Sequence, residues 1–312
     1  MNPIFPRLRS ISLLRRSYYR INSPKRNGCV TFSEIIRRTE NPDIVQAVKS
    51  FEEHLALTLP RIYSSETLQN ASTCLLGKDN LRYLKTVLRL RPGDRIIVFD
   101  GFGHEFEAYI NRFGASDVSL SLGKQFPETK RKISVTLAQA IPKAGKMDLI
   151  VKTAAELGAD VIVPFISARS VSRIEGEKAS MKVARWQKIV REASRCARSV
   201  RVTTVEPVLS FADMLSGATP DERKLIFWEE EDQQSIRDAL NEKRFAGTVR
   251  YFIIVGPEGG LSRDEVNLAK EAGFVSVSLG RQILKVETAA AAILSIIQYE
   301  KGIFSQTVEE GK

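Results

Sequence analysis

The chain has 312 residues, room for two domains with substantial cores, and its 43% hydrophobic and 27% charged residues describe an ordinary globular protein. No apolar run approaches a membrane span, and the longest, residues 289–297, reads as a buried helix. The formal net charge is +10, but seven Lys and Arg precede the first acidic residue, Glu34, so the rest carries only about +3 and does not by itself establish a nucleic-acid partner.

Cys29, Cys74 and Cys196 are isolated in sequence and offer neither a disulfide framework nor a zinc motif. His54 and His104 are the two histidines, too few for a His-based metal cluster, so no metal is expected.

Residues 1–55 read as a leader. Arg7, Arg9, Arg15, Arg16 and Arg20 alternate with Ile, Leu, Phe and Ser, with no acid among them. That composition is organellar transit rather than secretory, because no uninterrupted apolar centre is present. The run from Arg15 to Tyr19 resembles a mitochondrial processing site, which ranks mitochondrion ahead of chloroplast. The alternative is a disordered basic arm that binds RNA directly.

Residues 56–125 carry short strands and turns. Arg91-Pro92-Gly93-Asp94 is a turn leading into a strand at Arg95–Phe99, and Asp100-Gly101 is another turn. The stretch Gly101 to Phe106 partly mimics a dinucleotide fingerprint, but Phe106 stands where a third Gly is needed and the run leads into a strand. Arg82, Lys85, Arg89 and Arg91 form a basic cluster, either a phosphate contact or a solvated helix end.

Residues 124–132 read as a linker. From about 130 to 305 the pattern becomes α/β: a strand at 133–139, a helix at 146–157, a strand at 161–165, and another at 225–228. Residues 306–312 read as a disordered tail, and no internal repeat is present.

Two glycine-cornered loops lie near the C-terminus. The first, Gly256-Pro257-Glu258-Gly259-Gly260, follows a strand at Arg250–Val255. The second, from Leu279 and Gly280 through Ile283 and Leu284, follows a strand at Phe274–Leu279. Each Gly lets the main chain approach a ligand without a Cβ in the way. Between the loops, Ser262 and Glu265 form a capping box, and Val266, Ala269 and Ala272 give an apolar stripe. Strand, loop, helix and strand predict a parallel pair joined by a crossover, with both loops at the ends of adjacent strands.

These motifs together resemble the RsmE-type methyltransferases: Gly256 to Ser262, Glu265, Ala272-Gly273-Phe274, Leu279-Gly280, and Ile283-Leu284-Lys285-Val286-Glu287-Thr288-Ala289. Upstream, Ala140 to Lys143, Lys146-Met147-Asp148, Lys152, Glu156 to Ala159, Pro164, Arg185-Trp186 and Glu192-Ala193 extend the likeness, and Val87 to Asp94 carries it into the small domain. Coverage is roughly residues 60 to 303.

The resemblance implies a SPOUT-type parallel sheet with a C-terminal trefoil knot, preceded by a small PUA-like β-barrel domain. It implies methylation of uridine N3 in small-subunit ribosomal RNA, S-adenosylmethionine as donor, and a homodimer. It places the donor against Glu229, Val255, Gly256, Pro257, Glu258, Gly259, Gly260, Leu279, Gly280, Ile283 and Leu284, with Val255, Leu279, Ile283 and Leu284 flanking the adenine. Catalytic candidates are Glu287, Lys285 and Arg198; RNA contacts fall to Arg82, Lys85, Arg89, Arg91 and Lys143.

Glu287 is a general base, a base-edge reader, or a carboxylate placed to suit a helix dipole; Glu258 is the second candidate base. Lys285 or Arg198 neutralises charge on the uracil oxygen or holds a phosphate.

Lys285 stands where the family has Arg, the run Glu192 to Ser199 alters a family Gln and Arg, and Tyr83 replaces a His. These departures touch RNA positioning and leave the loops intact. They keep two other readings in play: an RNA methyltransferase of different specificity, or a non-catalytic RNA-binding assembly factor.

Overall fold

The computed structural model describes residues 58–127, 133–143, 145–170, 174–241 and 250–301. The leader, the tail, His54 and part of the linker lie outside them.

The small domain is built from β1 (Arg61–Tyr63), β2 (Thr73–Leu76), α1 (Lys78–Arg82), β3 (Arg95–Phe99), β4 (Glu105–Phe113) and β5 (Val118–Gln125). α1 continues into a π-helical turn, Tyr83–Val87. The sheet order is β1-β3-β4-β5-β2, with β1 parallel to β3 and the other pairs antiparallel. On β4, Phe106, Ala108 and Ile110 are buried while Tyr109 and Asn111 point outward, the alternation of a sheet with one covered face. Two register shifts bend β4 and curl the sheet into a half-barrel.

The predicted turn before β3 is present. Asp94 N donates to Arg91 O at 3.0 Å, Arg91 N donates to Asp94 Oδ2 at 2.7 Å, and Gly93 takes φ 93°. The rejected fingerprint is the β3–β4 turn, organised by Asp100.

The fully buried Asp100 carboxylate accepts from the amides of Leu68 (3.0 Å), Phe102 (2.8 Å) and His104 (3.2 Å), and pairs with His104 Nδ1 at 2.7 Å. Burial opposes its charge, but the bonds from Leu68, Phe102 and His104 outweigh burial and hold Asp100 below the ordinary aspartate value. A depressed folded value stabilises the fold above the unfolded pKa of about 3.9, and that stability is lost as pH falls below it. Thermal unfolding of the full chain between pH 5 and pH 3 should therefore show a falling midpoint, with a shallower slope in Asp100→Asn. Equal slopes would refute this role.

The larger domain runs β6 (Ser134–Ala140), α2 (Lys146–Glu156), β7 (Val161–Ile166), α3 (Gly176–Cys196), β8 (Thr204–Val205), β9 (Leu209–Ser210), α4 (Phe211–Ser216), β10 (Arg223–Phe227), α5 (Ile236–Asn241), β11 (Arg250–Val255), α6 (Arg263–Glu271), β12 (Val275–Val277) and α7 (Val286–Glu300). Its sheet order is β12-β10-β11-β6-β7-β8, with β9 also on β7, and every pairing is parallel. α2, α3, α5 and α7 bury one face, and α4 and α6 the other. The central strands are covered on both faces, which is why Leu225-Ile226 and Ile253-Ile254 are apolar without alternation.

One expectation is corrected. β11 and β12 are parallel but not neighbours: β10 lies between them, pairing Phe227 with Val255 on one side and with Val277 on the other. A crossover sets direction, not adjacency, and the strand placed between them comes from earlier in the chain.

The domains meet where β1 and the β3–β4 turn touch the end of α3. Arg61 Nη2 donates to Ser199 O at 2.9 Å, and Val202 N donates to Gly101 O at 3.0 Å. Tyr63 and Tyr83 lie under the guanidinium groups of Arg191 (5.4 Å) and Arg195 (6.0 Å). Among the described residues, no helix is long and apolar enough to cross a membrane.

Candidate functional site

All strands of the large sheet are parallel, so the loops after β6, β7, β10, β11 and β12 open on one edge, the usual crevice of an open parallel sheet. Three features shape the first loop, Gly256 to Gly260. Gly260 has φ +70°, and a Cβ there would overlap the Glu229 carboxylate arriving from the end of β10. A Cβ on Gly256 would come within 2.9 Å of Leu261 Cγ. The Gly259 carbonyl accepts from Arg169 Nη1 at 2.9 Å.

Glu265 holds this loop to its neighbour. The predicted capping box is present, with Glu265 N bonded to Ser262 Oγ at 3.2 Å and Ser262 N bonded to Glu265 Oε2 at 2.8 Å. The same carboxylate, 5% exposed, also accepts from Ala168 N (2.9 Å) and Ser167 Oγ (3.2 Å) after β7. A local cap thus doubles as a tie between two loops.

At the end of β6, the Gln139 side chain is fully buried. Its Nε2 donates to Ala140 O (2.9 Å), Val255 O (3.4 Å) and Gly256 O (3.4 Å), while Oε1 is buried with no hydrogen bond among the described residues.

Glu258 lies beside the start of α2. It accepts from Lys143 N at 3.2 and 3.1 Å and from Lys146 Nζ at 2.9 Å. Burial opposes its charge, but the Lys146 hydrogen bond and the Lys143 amide prevail, so its carboxyl sits below the ordinary glutamate value. Lys146 is pushed upward, first by the Glu258 hydrogen bond. Its ammonium is also 3.7 Å from Glu287 Oε2, in the first turn of α7.

In the second loop Gly280 has φ +103°, Leu279 and Leu284 are half-buried, and Ile283 is 87% exposed. Lys285 is the exposed N-cap residue of α7.

The structure therefore gathers Glu229, Glu258, Gly260 and Glu287 at one edge. Val255 differs from expectation: its side chain is 4% exposed inside the core, so it serves the loop through its carbonyl.

Arg198 also differs. It follows the C-terminal end of α3 with φ +56°, in the field of Arg61. α3 begins at the β7 loop, sharing an open cleft of about 510 Å3 with Ile166, Ser167 and Ala168, and ends near the N-terminal end of β7, where Thr203 Oγ donates to Ala159 O at 2.7 Å. Its 21 residues span about 30 Å, so Arg198 and Glu287 lie at opposite edges of the sheet.

Arg82, Lys85, Arg89 and Arg91 are all exposed. Tyr83, beside Arg82, abuts Arg195 at the junction, whereas Arg91 lies in the turn before β3, at the end of that strand away from the junction. Lys143 instead sits beside Glu258.

Gln139, Lys146, Arg169 and the second role of Glu265 escape sequence reasoning. One signal existed for Lys146: a cation opening a helix opposes the helix dipole and needs a compensating partner. Among the described residues, no group of three His, Cys, Asp or Glu could hold a metal ion.

A family model described as an RNA methyltransferase domain matches residues 129–298, and one described as an RNA methyltransferase PUA domain matches residues 76–118. Ribosomal RNA small subunit methyltransferase E of Bacillus subtilis is 30% identical over 76% of this chain and 94% of its own length. The protein of that name from Rickettsia conorii is 32% identical over 76% and 94%.

The Neisseria gonorrhoeae ribosomal RNA small subunit methyltransferase E, solved bound to S-adenosyl methionine, superposes with a TM-score of 0.69 at 30% identity, covering 78% of this chain and 98% of that one. A putative methyltransferase from Legionella pneumophila, in complex with the bound cofactor, gives 0.65 at 27% identity, covering 78% and 98%.

A likeness that runs through both domains and nearly the whole length of these relatives leaves one assignment: the chain belongs to the ribosomal RNA small subunit methyltransferase E family.

Proposed function

We propose that this protein methylates N3 of a uridine in small-subunit ribosomal RNA, with S-adenosylmethionine as donor. The observation that carries the reading is the pair of intact glycine loops at one sheet edge, in a chain whose relatives are named as small-subunit ribosomal RNA methyltransferases. The donor fits these residues. Gly260 leaves main chain rather than side chain beside Glu229, and the inward Gln139 Oε1 lacks a hydrogen-bond partner among the described residues.

The main chain of Gly256 to Gly260 and of Leu279 to Leu284 would hold the donor, with Leu279 and Leu284 as its apolar flank. The bound donor supplies a methyl group already activated by a sulfonium charge. The protein must then orient the uracil and remove the N3 proton. Mapping N3-methyluridine in small-subunit ribosomal RNA from a deletion strain tests the reading. An unchanged pattern would refute it, and methylation lost elsewhere would move the chain to another RNA target.

Lys285 belongs to this reading as a charge for a phosphate or for the uracil oxygen. It is exposed, so its contact should be worth about 1–2 kcal/mol, below a buried charged hydrogen bond. Lys285→Ala should slow methyl transfer about 5- to 30-fold, Lys285→Arg should keep the rate, and donor affinity should stay within about threefold in both. A wild-type rate in Lys285→Ala would show that this chain no longer uses the position.

The same proposal includes a knotted path, a homodimer and an organellar site of action. β12 forms on the far side of β10 from β11, and α7 then runs back against α2, where Gln298 Nε2 donates to Leu157 O at 3.0 Å. For the dimer, Ile283 (87%), Tyr299 (69%) and Leu149 (53%) are exposed apolar groups on the second loop, α7 and α2. One chain does not bring Arg198 to Glu287, so in this reading Arg198 would have to come from a second copy. A monomer by light scattering at micromolar concentration would refute the dimer. A fusion of residues 1–50 to a fluorescent reporter tests import, mitochondrial before plastid, and a cytosolic signal would reverse it.

A further inference from the structure

We propose that Glu287, and not Glu258, takes the N3 proton of the uracil, and that Lys146 is the positioning residue that aims the Glu287 carboxylate. The inference rests on the methyltransferase reading and assigns its proton acceptor.

The two carboxylates differ in what they already hold. Both oxygens of Glu258 are engaged by the Lys143 amide, and Oε1 also takes the Lys146 ammonium. A carboxylate bound in this way is a poor acceptor for a further proton.

Glu287 makes no hydrogen bond among the described residues. Its Oε2 is turned away from solvent, 3.7 Å from Lys146 Nζ, yet the side chain as a whole is 21% exposed. The accessible side of the carboxylate, Oε1, is thus open to a substrate. An inward carboxylate oxygen with no hydrogen bond costs stability, and such groups mark strained or catalytic positions.

Lys146 explains how the arrangement persists. It is the first residue of α2, where a cation is disfavoured by the dipole. Glu258 fixes its ammonium at 2.9 Å, and the charge then faces Glu287 Oε2 without occupying Oε1. Three elements meet through one ammonium: the start of α2, the first loop and the start of α7. The step balances. The N3–H bond breaks and its proton passes to Glu287 Oε1. The N3 electron pair forms the bond to the methyl carbon, and the carbon–sulfur bond breaks with its electrons staying on sulfur. The proton then leaves Glu287 to water.

The test uses the full chain and small subunits lacking the modification. Glu287→Gln should slow single-turnover transfer at least about 100-fold, the lower end of general-base contributions, with RNA KM and donor Kd within about threefold. Lys146→Met should slow it about 10- to 100-fold with the same KM, and Lys146→Arg should recover most of the rate. Glu258→Gln should cost no more than Lys146→Met, and the double variant Lys146→Met/Glu258→Gln no more than Lys146→Met alone.

A readout independent of activity accompanies these rates. The 13C carboxyl resonance missing in Glu287→Gln should shift in Lys146→Met and return toward its wild-type position in Lys146→Arg. A near wild-type rate in Glu287→Gln, or a larger loss in Glu258→Gln, would overturn the assignment while product mapping still upholds the methyltransferase reading. Absence of any product from the wild-type protein would overturn both.

Discussion

Gly260→Val should abolish useful donor binding, with affinity falling at least tenfold, about 1.4 kcal/mol or more. Two costs combine. The residue sits at φ +70°, where a β-branched side chain is strained by about 1–2 kcal/mol. The new Cβ would also overlap the Glu229 carboxylate, whose Cδ lies 2.5 Å from the ideal Cβ position. Relief requires Glu229 to leave or the loop to retreat, and either change alters the surface against which the donor packs. Global stability should fall by about 1–3 kcal/mol.

Gly77→Ala is the control, since no atom lies within 4 Å of its ideal Cβ. It should leave donor affinity unchanged. Titration calorimetry decides the matter: if Gly260→Val binds the donor within threefold of wild type, the pocket is misassigned.

Arg61→Ala should cost about 2–4 kcal/mol of stability. The guanidinium is 7% exposed and bonds Glu105 Oε1 at 2.5 Å, Ser199 O at 2.9 Å and Arg195 O at 3.5 Å, while lying 3.6 Å above the Phe99 ring. Burial lowers its pKa and Glu105 raises it, with burial the larger cause, so the charge depends on that partner.

Truncation would take the guanidinium from Glu105 and remove one donor from the carbonyls of Ser199 and Arg195, the latter keeping the Arg198 amide. Breaking a buried pair from one side costs about 3–5 kcal/mol, and the 18% exposure of Glu105 lets water recover part of it. Arg61→Lys should rescue little, because one ammonium cannot span three acceptors. Donor affinity measured below the unfolding transition should stay within about twofold, since the junction lies at the opposite sheet edge from the glycine loops. A stability loss under about 1 kcal/mol would mean that other contacts hold the domains together.

The departures from the family pattern look different in three dimensions. Tyr83 and the altered run from Glu192 to Ser199 fall at one place, the junction, where Tyr83 lies beneath Arg195 and Arg195 pairs with Glu192. Lys285 stands alone at the other edge, beside Glu287. Changes that look scattered in sequence thus separate into one cluster that bears on domain docking and one residue that bears on the reacting base.

The features determined by the sequence are local. The Ser262–Glu265 cap, the strand at Arg250–Val255 and the turn at Arg91–Asp94 depend on residues three to six apart, within reach of backbone periodicity and capping chemistry. The glycine loops were legible for the same reason, and it was their resemblance to the RsmE-type motifs that implied the family and the donor.

Only the tertiary structure decided what depends on long-range pairing. It put β10 between β11 and β12, joined Glu265 to Ala168 across 97 residues, set Lys146 between Glu258 and Glu287, and carried Arg198 to the far edge. Each of these follows from which strand lies beside which and from how far a helix extends. Periodicity fixes the face a residue presents, but not the element that comes to meet it.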